Sequence, residues 1–192
     1  MSWTTGTQTE ALGANNKVGS SFASFTAAQY IGPDASGSGY LPANFFLPST
    51  GVGKSLLVKA FGVLGTTSTP NITFGISLNT AQGTYNSSGV VATTGAVAGP
   101  TSGTNMPWEF DLLITCSGTG ASGAFLADGA LKIYPTGTTV QNLRCSSSTA
   151  NPNTALTLTS ESAYYVELFA AFSASSASNN IQCYNVAVLG LN

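Results

Sequence analysis

A chain of 192 residues is long enough for one β-sandwich domain and buries roughly 70% of the surface its unfolded form exposes, so folding requires no metal or disulfide staple. Charged residues make up 6% of it, against an ordinary share of about 25%, and a net charge of −2 argues against electrostatic capture of nucleic acid or of an anionic membrane. Ser, Thr, Gly, Ala and Asn supply the polar surface instead, so a partner is expected to be held through shape and neutral contacts.

Residues 1–50 read as an extended N-terminal arm. They are rich in Gly, Ser, Thr and Asn, hold Pro33, Pro42 and Pro48, and show no sustained periodicity. Trp3, Phe22, Phe25, Tyr30, Tyr40, Phe45 and Phe46 punctuate the arm, which is more large apolar side chain than a solvated linker carries. These aromatics are expected to anchor it to a surface, either a neighbouring subunit's or that of its own domain. Fully extended, such an arm spans on the order of 150 Å. Residues 51–192 read as the sandwich.

In Lys54–Leu64, Leu56, Val58 and Ala60 share one face and Leu57, Lys59, Phe61 and Val63 the other, which predicts a strand covered on both sides. Asn71–Asn79 alternates cleanly, with Ile72, Phe74, Ile76 and Leu78 inward. A weak strand follows near Val90–Thr94. The clearest pattern is Pro107–Cys116, where Trp108, Phe110, Leu112, Ile114 and Cys116 alternate with Glu109, Asp111, Leu113 and Thr115. Successive strand side chains point to opposite faces, so this stretch presents a wide apolar stripe that a second layer must cover. Ala124–Tyr134, Thr139–Cys145, Thr154–Thr159, Ala163–Ser173 and Asn180–Leu189 complete about eight strands with no amphipathic helix, an all-β antiparallel sandwich of jelly-roll type.

Chemistry-bearing patterns are sparse. Pro48–Ser55 resembles a phosphate-binding loop, but Pro48 stands where the motif needs Gly, and Leu56–Val63 reads as strand rather than helix. Glu109 and Asp111 share one strand face roughly 7 Å apart; glycosidases use paired carboxylates, normally from different segments, and a solvated or intersubunit face is the simpler reading. With Asp128 they offer oxygen ligands for Ca²⁺, though no Asp-rich loop is present. The chain has no His, which removes the usual activation of Ser as nucleophile, and no cofactor or metal is expected. Cys116, Cys145 and Cys183 lack metal-site spacing; Cys116 lies in phase with the buried stripe and reads as a core thiol. One disulfide with one free thiol stays open for a protein outside a cell. Met1–Gly6 carries neither the basic nor the apolar region of a signal peptide, and no window approaches a membrane span. Tyr165 and Phe169 share the outward face of one strand and Phe61 lies on another, so these three are candidate sugar-stacking or subunit-interface residues.

The run Asn71–Leu78, then Met106–Cys116, then Ala163–Ala174 with the Ser/Ala/Asn turn before Asn180–Cys183 resembles the small jelly-roll virion proteins of tailed bacteriophages. The likeness covers residues 54–192, without the arm, and transfers no catalytic residue. It implies a non-enzymatic head decoration (cement) protein at the capsid surface, made in the host cytoplasm. Its expected partners are the major capsid protein and further copies of itself, as a trimer or other homo-oligomer whose arm reaches neighbouring subunits. The alternative is a receptor- or glycan-binding module of a tail or fibre.

Overall fold

The computed structural model describes residues 9–15, 17–34, 38–47, 54–136, 139–147 and 156–191. The strands, in chain order, are β1 (Thr9–Asn15), β2 (Phe22–Ala23), β3 (Gln29–Tyr30), β4 (Tyr40–Leu41), β5 (Ser55–Thr66), β6 (Asn71–Asn79), β7 (Val90–Thr93), β8 (Val97–Ala98), β9 (Gly103–Gly118), β10 (Gly123–Thr136), β11 (Thr139–Ser146), β12 (Leu156–Leu158), β13 (Tyr164–Phe172) and β14 (Asn180–Leu191). A single 3-10 turn, Ser87–Gly89, is the helical element among the described residues. The fold is all-β and antiparallel, as the alternation predicts.

Hydrogen-bonded neighbours run β1-β14-β5-β9-β10-β11-β7-β6-β13-β3. This path folds over on itself. Among the described residues its halves are joined in the strand ladder by the pair Ser146 of β11 and Thr93 of β7, and their inner faces meet. Phe74 of β6 packs edge-on against Trp108 of β9, ring centroids 5.2 Å apart, and lies 5.1 Å from Phe110. The β9 stripe is therefore the centre of the core: Trp108, Phe110, Leu112, Ile114 and Cys116 are all buried. β9 pairs with β5 through Phe110↔Ala60 and with β10 through Phe110↔Leu131, so one apolar row crosses three strands.

The outer side of β5 is less covered than its composition predicts. Lys59 and Phe61 face outward; Phe61 is 48% exposed, and Leu113 across on β9 is 44% exposed. Leu57 and Val63 are half-buried. Apolar side chains on this face meet ion-paired neighbours rather than a third layer.

The described part of the arm packs on its own sandwich. β1 and β2 pair with β14, and β3 and β4 pair with β13. Ile31, Leu41, Phe45 and Phe46 enter the core, where Phe46 meets Phe125 edge-on at 4.9 Å. Those aromatics explain why a Gly/Ser-rich segment becomes ordered: each buried large side chain contributes about 1.5–3 kcal/mol against the entropy of fixing the chain.

Candidate ligand-binding cleft

The arm gives the outer face of β13 a second aromatic layer. Even-numbered β13 residues, Val166 and Leu168 among them, point into the core, while Tyr165, Glu167 and Phe169 point away from it. Tyr40 lies over Tyr165 with centroids 5.3 Å apart. Tyr85, from the loop after β6, lies over Phe169 at 4.8 Å. Phe169 is only 2% exposed as a result, so it is not a surface platform; the rings that cover it are.

Beside Tyr85 lies a cleft of about 560 Å³, lined on one side by Phe22, Gln29, Tyr30 and Asp34 and on the other by Thr84 and Tyr85. The arm wall is fixed by β3, whose Tyr30 pairs with Phe169, and by the Ile31 amide, which donates to the Leu168 carbonyl at 2.9 Å. The Tyr30 hydroxyl donates to the Asp34 carbonyl oxygen at 2.8 Å. Its ring folds back over Gly32, where any Cβ would overlap the hydroxyl, so this wall requires glycine there.

The opposite wall is shaped by two side chains beneath it. Asn79 donates to the Thr84 hydroxyl at 2.6 Å and accepts from the Ala81 amide at 3.1 Å. The Gly83 amide, at φ 66°, donates to Glu167 Oε1 at 2.6 Å. Glu167 is 0% exposed and stands directly opposite Ser77 on β6. Its Oε2, the Ser77 hydroxyl and the Ser38 hydroxyl are buried with no hydrogen-bond partner. Burial pushes the Glu167 carboxyl up to about 7, with the amides of Gly83 and Ser38 pulling the other way. Burial likewise raises the Tyr30 phenol, reinforced by the Glu167 charge, and raises Tyr85. The cleft thus combines aromatic edges, an amide, a hydroxyl and one carboxylate at its rim, with a buried carboxyl below the floor. Such a lining holds a small neutral polar molecule by stacking and directional hydrogen bonds.

Comparison with known proteins gives little beyond this geometry. No protein family matches the sequence, and no curated protein matches it. Among solved structures, the chain is similar to the CBM2 module of the evolved Dit of Lactobacillus casei BL23 phage J-1, at 11% identity and a TM-score of 0.33, covering 97% of this chain and 97% of that one.

The structure separates the aromatics singled out in the sequence. Trp3 lies outside the described residues. Phe22 and Tyr30 reach the cleft. Phe25 packs edge-on against Phe172 at 5.2 Å, and Phe45 and Phe46 are core. Tyr40, 48% exposed, and the half-buried Tyr165 are cross-strand partners whose rings tilt against each other. Phe61 is on the far face, 6.3 Å from Tyr184, beside a shallower depression of about 310 Å³ bordered by Lys59, Glu109, Asp111 and Asn185.

The acids singled out in the sequence each have a partner of their own. Asp111 takes the Lys59 ammonium at 2.6 Å, Glu109 accepts from the Tyr134 hydroxyl at 2.9 Å, and Asp128 takes Arg144 at 2.8 Å. Among the described residues no cluster of three or more His, Cys, Asp or Glu side chains is placed to hold a metal. The cysteines are buried thiols, and desolvation raises all three. Of the Pro48–Ser55 stretch, residues 48–53 lie outside the described residues; Lys54 stands 4.8 Å above the Phe45 ring, and Ser55 already begins β5. No helix among the described residues is long and apolar enough to cross a membrane.

Tyr85, Gln29, Asp34 and Glu167 were not legible as site residues. Tyr85 sits in a turn without periodicity. Glu167 had a usable signal: one acid in an otherwise apolar outer row, in a chain with few charges.

Proposed function

We propose that this chain is a virion-borne, non-enzymatic module of a tailed phage that binds a neutral saccharide in the cleft between the arm and the 80–86 loop. The observation that carries the reading is the lining itself. Phe22, Tyr30 and Tyr85 offer apolar edges for sugar rings, while the Gln29 amide offers hydrogen bonds to hydroxyl groups, all within a volume fit for a short oligosaccharide. The low charge of the whole chain suits a neutral ligand. The virion context rests on the strand pattern shared with small phage jelly-roll proteins. A glycan array tests the proposal: reproducible signals that disappear in Tyr85→Ala, but survive in Phe61→Ala on the far face, support it. Signals that Tyr85→Ala leaves intact overturn it.

A second reading, docking on a capsid lattice as a decoration protein, draws on a different surface. The outer face of β5 and β9 exposes Phe61 and Leu113 beside the Lys59–Asp111 pair, a mixture of apolar and polar groups that suits a protein interface. The copy number of this chain per particle separates the two readings. Hundreds of copies in simple ratio to the coat favour decoration, and a few to a few dozen favour a tail-borne binding module.

A further inference from the structure

Both walls of the cleft hang from β13, and a single carboxyl lies between their attachments. Glu167 holds the loop wall through the Gly83 amide. Two residues along, Phe169 pairs with Tyr30 of the arm wall and carries Tyr85 on its ring. We propose that Glu167 is a proton-operated latch for this cleft: protonated, it keeps the 80–86 loop closed over β13, and on ionisation it admits water and loosens that loop.

The reasoning is one of hydrogen-bond supply. An ionised carboxylate in a dry site needs several donors. Glu167 has the Gly83 amide on Oε1 and no hydrogen bond on Oε2; the Ser38 amide also favours its charge, and the Ser77 hydroxyl, opposite it on β6, makes no hydrogen bond. The neutral acid leaves this arrangement tolerable. The anion does not: ionisation strengthens the Gly83 bond but leaves Oε2 dry, and lifting of the loop lets water reach it.

The groups packed about Glu167 come from every neighbouring element. β6 presents Ser77 and Asn79, the loop presents Gly83 and Tyr85, and the segment leading into β4 presents Ser38, with Tyr40 beyond it. β3 presents Tyr30, whose phenol senses the Glu167 charge; Asp34 and Cys183 bear on that same phenol. Tyr30 stays neutral across the working range because burial raises it, so it does not compete for the role. The upward displacement of the Glu167 carboxyl agrees with the geometry and places the transition near neutrality.

This inference rests on the saccharide reading only for what the cleft holds; the latch itself is testable without a ligand. Hydrogen exchange of segment 80–86, corrected for intrinsic rate, is followed from about pH 5.5 to about pH 8.5 in the wild type and in Glu167→Gln, which keeps an acceptor for Gly83 but cannot ionise. Protection in the wild type should fall by about tenfold over that range and stay level in the variant. In the wild type alone, the Gly83 amide resonance should titrate with a midpoint near 7 and the loss of protection over 80–86 should follow the same midpoint, which decides the matter even if the variant folds poorly. A Gly83 resonance that does not move, or an exchange profile shared by both proteins, overturns the latch. A glycan array that stays blank at both pH values overturns the saccharide reading and leaves the exchange result standing.

Discussion

Replacing Glu167 with Gln should make the protein's stability almost independent of pH where the wild type's is not. Burial pushes the carboxyl up to about 7 in the folded chain, against 4.5 as its ordinary value. A raised carboxyl favours the folded state fully below the ordinary value, and that contribution drains away as pH rises to about 7 and then levels off. At about 1.4 kcal/mol per pH unit the gap amounts to about 3 kcal/mol, or about 10 °C in Tm for a chain of this size. The chain has no His, so few other side chains contribute between about pH 5.5 and 8. Urea unfolding of both proteins at about pH 4.5 and pH 8 reads the effect directly. The two should agree at the acid end and differ by about 3 kcal/mol, with the variant more stable, at the alkaline end. Parallel curves across the whole range would mean that Glu167 is solvated, and both the cost assigned to its burial and the latch would go with it.

Other substitutions follow from the packing. Trp108→Ala, at the centre of the core against Phe74, should cost about 3–5 kcal/mol in urea unfolding; a loss below about 1 kcal/mol would show that the layers do not meet there. Gly32→Ala should force the Tyr30 ring out of its place, weakening any array signal at least as much as Tyr85→Ala does while lowering stability by about 1–3 kcal/mol; unchanged binding would remove Tyr30 from the cleft wall. Phe61→Ser, on an exposed site, should change the stability of the isolated chain by less than about 0.5 kcal/mol yet reduce attachment to particles if the β5–β9 face docks. Undiminished attachment would sink the decoration reading.

Strands that alternate cleanly were readable because one face of each is buried. The Pro107–Cys116 pattern locates β9, and Asn71–Asn79 gives β6 to the residue. β5 was harder: Leu57, Phe61 and Val63 look like core by type, and only the register shows that they face outward beside Lys59. The arm defeated periodicity altogether, because two-residue strands such as β3 and β4 are too short to show a period and are defined by what they lie against. The cleft inherits that opacity. Tyr30 was visible as an anchor, but Tyr85 becomes a wall residue only through Asn79 and Glu167, whose bonds to the loop are tertiary facts. Phe169 looked like a surface ring because alternation says which face a side chain is on, and nothing about what covers that face.

The arm also dictates when the molecule can be finished. The first described strands lie against the last two of the chain, so a ribosome delivers β1 to β4 long before β13 and β14 exist to receive them. Until then the nascent segment carries Ile31, Leu41, Phe45 and Phe46 exposed, and the growing sheet has bare edges that invite pairing with other chains. Closure over such sequence distances is slow. Synthesis should therefore pass through a vulnerable interval that lasts until β13 and β14 have been made. A truncation ending before β13 should collect as aggregate rather than as a smaller folded module.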